Sequence, residues 1–295
     1  MKDLIQKALS NSNKVSKNSL IEKIIPLGGG CIHKAWCIQF RNGKKVFAKS
    51  NHIDNINLFK FERECLLALK RFANTSYICI PKPLDLISYQ KISILFLEWI
   101  DLEQSQHNVL GKGLALLHKA STEENNPNFG WEEDGFIGSN SQLKGWDSDW
   151  GKFFVNYRLR PQLIQAARWG VKIDDYEDTL IYLSSYLNNH KPKISLVHGD
   201  LWSGNCGRTK NGLGSLYDPA SYWGDREVDI AMTKLFGSFN KEFYKSYEET
   251  WPLDKCSRDR TKIYNLYHLL NHANMFGGSY KENSLQILKD LRSRE

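Results

Sequence analysis

Short apolar runs separated by glycines and polar turns fill the first hundred residues. That pattern predicts strands rather than long helices. Residues 21–27, 33–40 and 45–50 read as three strands, with Gly28, Gly29 and Gly30 between the first two and Asn42-Gly43 between the second and third. Asn-Gly between apolar runs predicts a tight hairpin turn with positive φ at both central residues. Ile80-Pro81-Lys82-Pro83 opens another strand, and its prolines suit a sheet edge. Residues 92–99 are almost continuously apolar and predict a buried strand. Two helical stretches interrupt this pattern. Residues 3–10 form a short one; in residues 58–72, Phe61, Cys65, Leu66, Leu69 and Phe72 recur at three- and four-residue spacing.

After Ile100-Asp101 the apolar period lengthens. Helices are predicted over 109–119, with Val109, Gly113, Leu116 and Leu117 on one stripe, and over 148–168 and 176–189. His118 reads as a helix-terminal histidine against the last carbonyls. Residues 120–146 are polar and glycine-rich and read as a long loop. Pro192 ends the third helix before a strand over 194–197. Asp225 is placed to cap a further helix, and helices fill the remainder. The expectation is an α+β chain. Residues 1–100 form a small antiparallel-sheet lobe with one main helix, and residues 101–295 form a larger, mostly helical lobe.

Composition sets limits. The 295 residues, 41% hydrophobic and 25% charged, suffice for a substantial core in one or two domains. The formal charge is +7, with Lys and Arg scattered rather than clustered. This argues against nucleic-acid binding and suits anionic ligands such as nucleotide phosphates. The six cysteines show no CxxC spacing, which points to reduced thiols. No signal-peptide core and no run of membrane-span length is present, so a cytoplasmic protein without a membrane partner is expected.

The chemistry concentrates in 196–218, LVHGDLWSGNCGRTKNGLGSLYD. His198-x-Asp200 followed by Asn205 has the spacing of the kinase catalytic loop HRDxxxxN, and Asp218 follows an apolar strand. Phosphoryl transfer needs positioning and charge neutralisation more than covalent chemistry. Asp200 is the candidate base. Asn205 and Asp218 are candidate ligands for Mg²⁺, a hard cation that prefers oxygen. His198 reads as structural, holding the loop through a backbone bond.

The nucleotide half lies upstream. Gly28, Gly29 and Gly30 let backbone N–H groups approach phosphate oxygens. Lys49, ending a strand, is the candidate phosphate contact; Glu62 and Glu64 lie on different helix faces, so at most one pairs with it, Glu62 being favoured and Glu64 the alternative. Backbone groups at Glu98 and Ile100, where the chain crosses between lobes, are candidates for an adenine edge. Trp202 and Trp223 flank the site, and the sequence leaves open whether they stack on a sugar or simply pack. Cys31 directly follows the glycines, where neighbouring N–H groups favour the thiolate. It is a redox candidate, with a packing role as the alternative.

At these residues the chain resembles the fructosamine kinase (ketosamine-3-kinase) family, a branch of the aminoglycoside phosphotransferase-like kinases. HGDLWSGN (198–205) and DPASYWGDREVDIAM (218–232) carry the resemblance, supported by GGGCIHKAW (28–36), DGFIGSNSQ (134–142), DWGKFF (149–154), RLRPQL (158–163), WPLD (251–254) and LYHLLNHANMFGGSY (266–280). The resemblance covers roughly 15–292. It implies a bilobal protein-kinase-like fold and ATP- and Mg²⁺-dependent phosphorylation of the C3 hydroxyl of ketosamines, either small molecules or glycated lysines on proteins. The unstable product would free the amine, a deglycation repair. By position, Asp200 would be the base, Asn205 and Asp218 the metal ligands, and Lys49 with Glu62 the phosphate clamp. Trp202, Trp223, Asp225, His268 and Asn271 or His272 are acceptor-site candidates. Asp218-Pro219-Ala220 stands where protein kinases have DFG, and no APE-type segment follows. Kinases of choline or aminoglycosides, and a non-catalytic nucleotide-binding scaffold, are the alternatives. A monomer or a homodimer fits equally.

Overall fold

The structure is a computed structural model that describes residues 2–10, 12, 15, 20–28, 32–103 and 108–293. Gly29, Gly30 and the redox candidate Cys31 lie outside the described residues.

The small lobe runs through helix α1 (Lys2–Ser10), strands β1 (Ile21–Leu27), β2 (Lys34–Phe40) and β3 (Lys45–His52), helix α2 (Ile56–Phe72), and strands β4 (Ile78–Cys79), β5 (Pro83–Tyr89) and β6 (Ile92–Glu98). Five of these strands make an antiparallel sheet in the order β1-β2-β3-β6-β5. Beginning at Pro83, β5 lies at the edge, where a missing N–H costs no ladder bond. Alternation along β3 sorts its side chains onto two faces. Val46 and Ala48 join Trp36, Phe40 and Phe96 against Ile5, Ala8 and Leu9 of α1. Full burial of each large apolar side chain contributes about 1.5–3 kcal/mol. Phe47 turns the other way, toward Phe59, Leu66 and Leu69 of α2 with Leu95 and Leu97 of β6. Lys49 shares that parity and therefore faces α2.

One hairpin differs from expectation. Gly43 has a φ of 81°, but Asn42 stays outside the positive region. The Asn42 side chain instead accepts from the Lys44 N–H at 3.1 Å. Phe40 N–H donates to the Lys44 carbonyl, and Gly43 N–H to the Phe40 carbonyl, both at 2.9 Å. A three-residue loop ending in a left-handed glycine needs positive φ only once.

The large lobe continues with β7 (Leu102–Glu103), α3 (Asn108–Ser121), β8 (Phe129–Trp131), β9 (Gly135–Ile137), β10 (Asn140–Gln142) and β11 (Gly145–Asp147). Next come α4 (Trp150–Phe154), α5 (Arg160–Ala166) and α6 (Glu177–His190), with a π-helical turn at Val155–Leu159 between α4 and α5. The remaining elements are β12 (Ile194–Val197), β13 (Cys206–Thr209), β14 (Gly214–Leu216), β15 (Tyr222–Asp225), α7 (Glu227–Met232), α8 (Lys241–Thr250), α9 (Ser257–Phe276) and α10 (Ser279–Arg292). Residues 120–146, expected as a loop, contain four short strands. β9 and β10 form a hairpin; β11 and β8 extend a sheet in the order β11-β8-β15-β12. Three-residue strands are too short to display a period in the sequence.

Two details of α3 also differ. Its buried stripe is Leu110, Leu114 and Leu117 rather than one that includes Leu116, and Gly111 lets the backbone of α8 approach, because a Cβ there would collide with the Phe243 carbonyl. His118 does not contact helix-end carbonyls through its ring. It is wholly buried, bonded to the Tyr247 hydroxyl at 2.9 Å and to Asp229 at 3.1 Å. The lobes are tied by strands as well as by the crossing: β4 of the small lobe runs parallel to β14, and β7, just past the crossing, pairs with β13 within the large lobe. No described helix is long and apolar enough to cross a membrane.

Candidate active site

The site is built on the end of β12, an apolar strand that delivers residues 198–200 to the cleft. Two amides there, His198 N–H and Gly199 N–H, donate to Asp229 of α7 at 2.7 and 2.8 Å. Asp229 is fully buried and also binds His118. Burial works to raise its carboxyl, but the His118 bond, the nearby His198 and the amide bonds outweigh it and hold it below the usual carboxylate range. Sequence reasoning missed this anchor. The signal available was an aspartate inside the otherwise apolar run Val228–Met232, written VDIAM.

His198 behaves as expected. It is buried, and burial depresses its pKa, so the ring is neutral. Nδ1 accepts from Asp200 N–H at 3.3 Å and Nε2 donates to the Tyr217 carbonyl at 3.0 Å. The ring thus braces the loop and moves no proton. Gly199, at φ 82°, passes so close to the Ala220 carbonyl that a side chain would collide with it.

Asp200 follows. Asn205 Nδ2 donates to its carboxylate at 3.0 Å and to its carbonyl at 2.8 Å. Burial first, and then the charge of Asp218, push the Asp200 carboxyl up to about 7. Asn205 Nδ2 also reaches the Asp218 carbonyl at 3.4 Å. Its amide nitrogen is committed to the loop, which leaves Oδ1 as the atom to offer outward. Asp218 has a φ of 56°, a left-handed conformation that costs a non-glycine residue of order 1 kcal/mol and is common at functional sites.

Lys49 arrives from β3. Its Nζ lies 2.7 Å from Glu62 Oε1 and also contacts Asp218 Oδ1. Burial alone would depress the ammonium, yet Asp218 and Glu62 outweigh it and raise it. The two carboxylates compete for one cation. Burial lifts Glu62 to about 7 despite Lys49, while in Asp218 the attraction of Lys49 overcomes burial and keeps it ionised. Glu64 is exposed on another face of α2. Glu98 ends β6 with its N–H already given to the Lys82 carbonyl at 2.9 Å.

The acceptor candidates separate. Trp202, 37% exposed, meets Phe236 edge-on at 6.4 Å, and Phe236 lies 4.5 Å from the ring of His272. Tyr280 and Phe276 complete this cluster at 5.2 and 5.7 Å from His272. Phe236 lies in no motif that would have singled it out, and Phe276 and Tyr280 lie within 266–280 without having been picked as site candidates. The other candidates point elsewhere. Trp223 packs edge-on against Phe72 of α2 at 5.8 Å. Asp225 is 1% exposed, bonded to the Tyr264 hydroxyl at 2.6 Å and to His190 at 3.2 Å, and it accepts the Glu227 N–H. Asn271 is buried, held by Asn140 and Gln162 at 2.8 and 3.4 Å. His268 is fully buried, its pKa driven down to about 3 by burial and then by His272. Asp225, Asn271 and His268 are thus buried within the large lobe, and Trp223 packs on α2.

The fructosamine kinase family model matches residues 1–294. A probable ketoamine kinase of Synechocystis sp. is 37% identical over 266 residues, covering 89% of this chain and 88% of its own. A crystal structure of a protein named for fructosamine-3-kinase, from Haemophilus somnus 129PT, superposes with a TM-score of 0.85 at 27% identity, covering 99% and 97%. The choline kinase LicA of Streptococcus pneumoniae has a TM-score of 0.59 at 14% identity over 98% and 99%, a likeness of fold alone. The architecture is that of the α+β bilobal kinase-like fold.

Proposed function

The chain belongs to the fructosamine kinase family, and on that premise we propose that it transfers the γ-phosphoryl group of ATP to the C3 hydroxyl of ketosamines. The observation that carries this reading is the convergence of Asp200, Asn205, Asp218, Lys49 and Glu62 on one cleft. Lys49, braced by Glu62, contacts the nucleotide phosphates, with backbone N–H groups of Gly28, Gly29 and Gly30 as further phosphate donors. The Glu98 carbonyl and Ile100 N–H take the adenine edge.

Asn205 and Asp218 fit Mg²⁺. Both offer oxygen, and the committed amide nitrogen of Asn205 leaves Oδ1 free for it. When bound there, the ion would offset phosphate charge. Asp200 accepts the proton of the acceptor hydroxyl as its oxygen bonds the γ-phosphorus and the bond to the bridging oxygen of ADP breaks. Its raised proton affinity suits that task near neutral pH. Trp202, Phe236 and His272 offer ring faces to the sugar and to the cationic secondary amine of a ketosamine.

A C3-phosphorylated ketosamine is set up to lose phosphate and release its amine, so the reading includes deglycation of small molecules or of lysines on proteins. A cytoplasmic location is part of it, because ATP is the phosphoryl donor. The test is the product. With Mg²⁺-ATP and a synthetic fructosamine, carbon and phosphorus NMR should show phosphate on C3, followed by free amine. Phosphate on another carbon, or none, contradicts the proposal.

A further inference from the structure

Glu62 sits on α2, yet its helical neighbours are packed into the other lobe. Phe61 and Cys65 belong to the core cluster of the large lobe, whose other members all come from residue 129 onward. Phe61 is 5% exposed, edge-on to Trp131 at 6.5 Å and to Phe136 at 6.3 Å. Cys65, one turn later, lies against Ser221, just beyond Asp218. The ring of Phe61 fills the space where Gly135, the first residue of β9, has no side chain. A Cβ on Gly135 would lie 2.5 Å from Cε2 of that ring. Gly135 is not in the left-handed region, so glycine here provides room rather than conformational freedom.

The β9–β10 hairpin that presents Gly135 is itself fastened. Gln142 donates to the Ala220 carbonyl at 3.1 Å and accepts from the Tyr267 hydroxyl at 2.9 Å. Asn140 donates to Asn271 of α9 at 2.8 Å. The hairpin therefore joins α2, the segment after Asp218, and α9. Consecutive helical residues leave the axis about 100° apart. With Phe61 seated on Gly135, Glu62 is turned toward Lys49. In protein kinases the equivalent ion pair is controlled by moving its helix. Here α2 cannot swing without unseating Phe61.

We propose that Gly135 and Phe61 are positioning residues: the ring seated on Gly135 holds α2 so that Glu62 stays on Lys49. This rests on the reading of Lys49 as the phosphate contact.

The experiment is size complementation, read as kcat and KM for ATP and for a synthetic fructosamine, with melting temperature as the folding control. Gly135→Ala should lower kcat/KM for ATP by roughly 10- to 100-fold, as displaced phosphate-site groups do, while the acceptor KM stays unchanged. Adding Phe61→Leu should restore most of the loss, because the smaller side chain vacates the space. Wild-type ATP kinetics in Gly135→Ala overturn the proposal. So does a loss that the double variant fails to restore although it melts like the wild type. Should Gly135→Ala not fold, Phe61→Leu alone decides: lowered kcat/KM for ATP at an unchanged acceptor KM supports the proposal, and wild-type values overturn it. Lys49→Ala separates the two levels. If it too leaves ATP kinetics unchanged, the phosphate-contact reading falls and takes this inference with it. If only the Gly135 and Phe61 variants are silent, the inference alone falls.

Discussion

Asp200 and Asp218 are carboxylates in one short stretch, and their surroundings push their proton affinities apart. Asp200 has no cation beside it, and burial lifts it to about 7. Asp218 touches Lys49 and stays ionised. The first suits a base and the second a cation ligand. Asp200→Asn should therefore lower kcat by about 10²–10⁴-fold with little change in KM for ATP. Retained turnover in steady-state assays would place the base elsewhere. That these residues come together was legible because the spacing His198-x-Asp200…Asn205 is a local property of one loop. The burial of Asp225, Asn271 and His268 was not legible, for the opposite reason. Polar residues are usually exposed, and nothing local says that Asp225 is bonded to His190 and Tyr264, or that α9 turns Asn271 inward. Trp223 was ambiguous because its direction depends on strand pairing: opposite Leu196 in β15, it packs on Phe72.

At the scale of elements, the catalytic loop is held from outside by α7. Asp229 takes two amide bonds and one from His118. Asp229→Ala would strand those buried donors, at a cost of about 3–5 kcal/mol. Urea unfolding should show that loss together with the loss of turnover, and an unchanged midpoint would refute the anchor. Gly199→Ala should also destabilise the loop, since the residue needs positive φ and lies against the Ala220 carbonyl. A melting temperature equal to that of the wild type would count against this packing. The bounds of α2, β6 and β12 match expectation to within a residue or two, α2 through its period and the two strands through their apolar runs. The strands within 120–146 were not expected, because three residues of β8 or β10 carry no periodic signal, and their partners lie across the lobe. The partner of α2 in the large lobe was equally invisible: Gly135 looks like a loop glycine until Phe61 is seen against it.

At the scale of the whole molecule, a buried ionic network ties α6, β15, α7 and α9 together behind the site. His190 Nε2 lies 3.2 Å from Asp225 and 3.5 Å from Glu227, and its Nδ1 lies 3.0 Å from Asp254. Arg260 bonds Glu227 at 2.7 and 2.8 Å and Asp254 at 2.6 Å. Burial opposes the charge on His190, but Asp225 and Glu227 outweigh it, so its pKa is raised. A histidine raised in the folded state contributes stability fully below its unfolded pKa of about 6.5, and that contribution is lost as pH rises through the folded value. His190→Gln should thus be less stable than the wild type at pH 5.5–6, by about 1–3 kcal/mol, and the difference should shrink as pH rises. A gap that widens with pH would contradict the assignment.

The central claim is that this cleft phosphorylates a ketosamine. Its most direct test is ADP release with Mg²⁺-ATP across fructosamine, ribulosamine, erythrulosamine, choline and kanamycin, each repeated with Asp200→Asn. The account predicts acceptor-dependent ADP release with at least one ketosamine, little with choline or kanamycin, and near-complete loss in the variant. ADP release with choline or kanamycin but with no ketosamine, or no release with any of them, would contradict it.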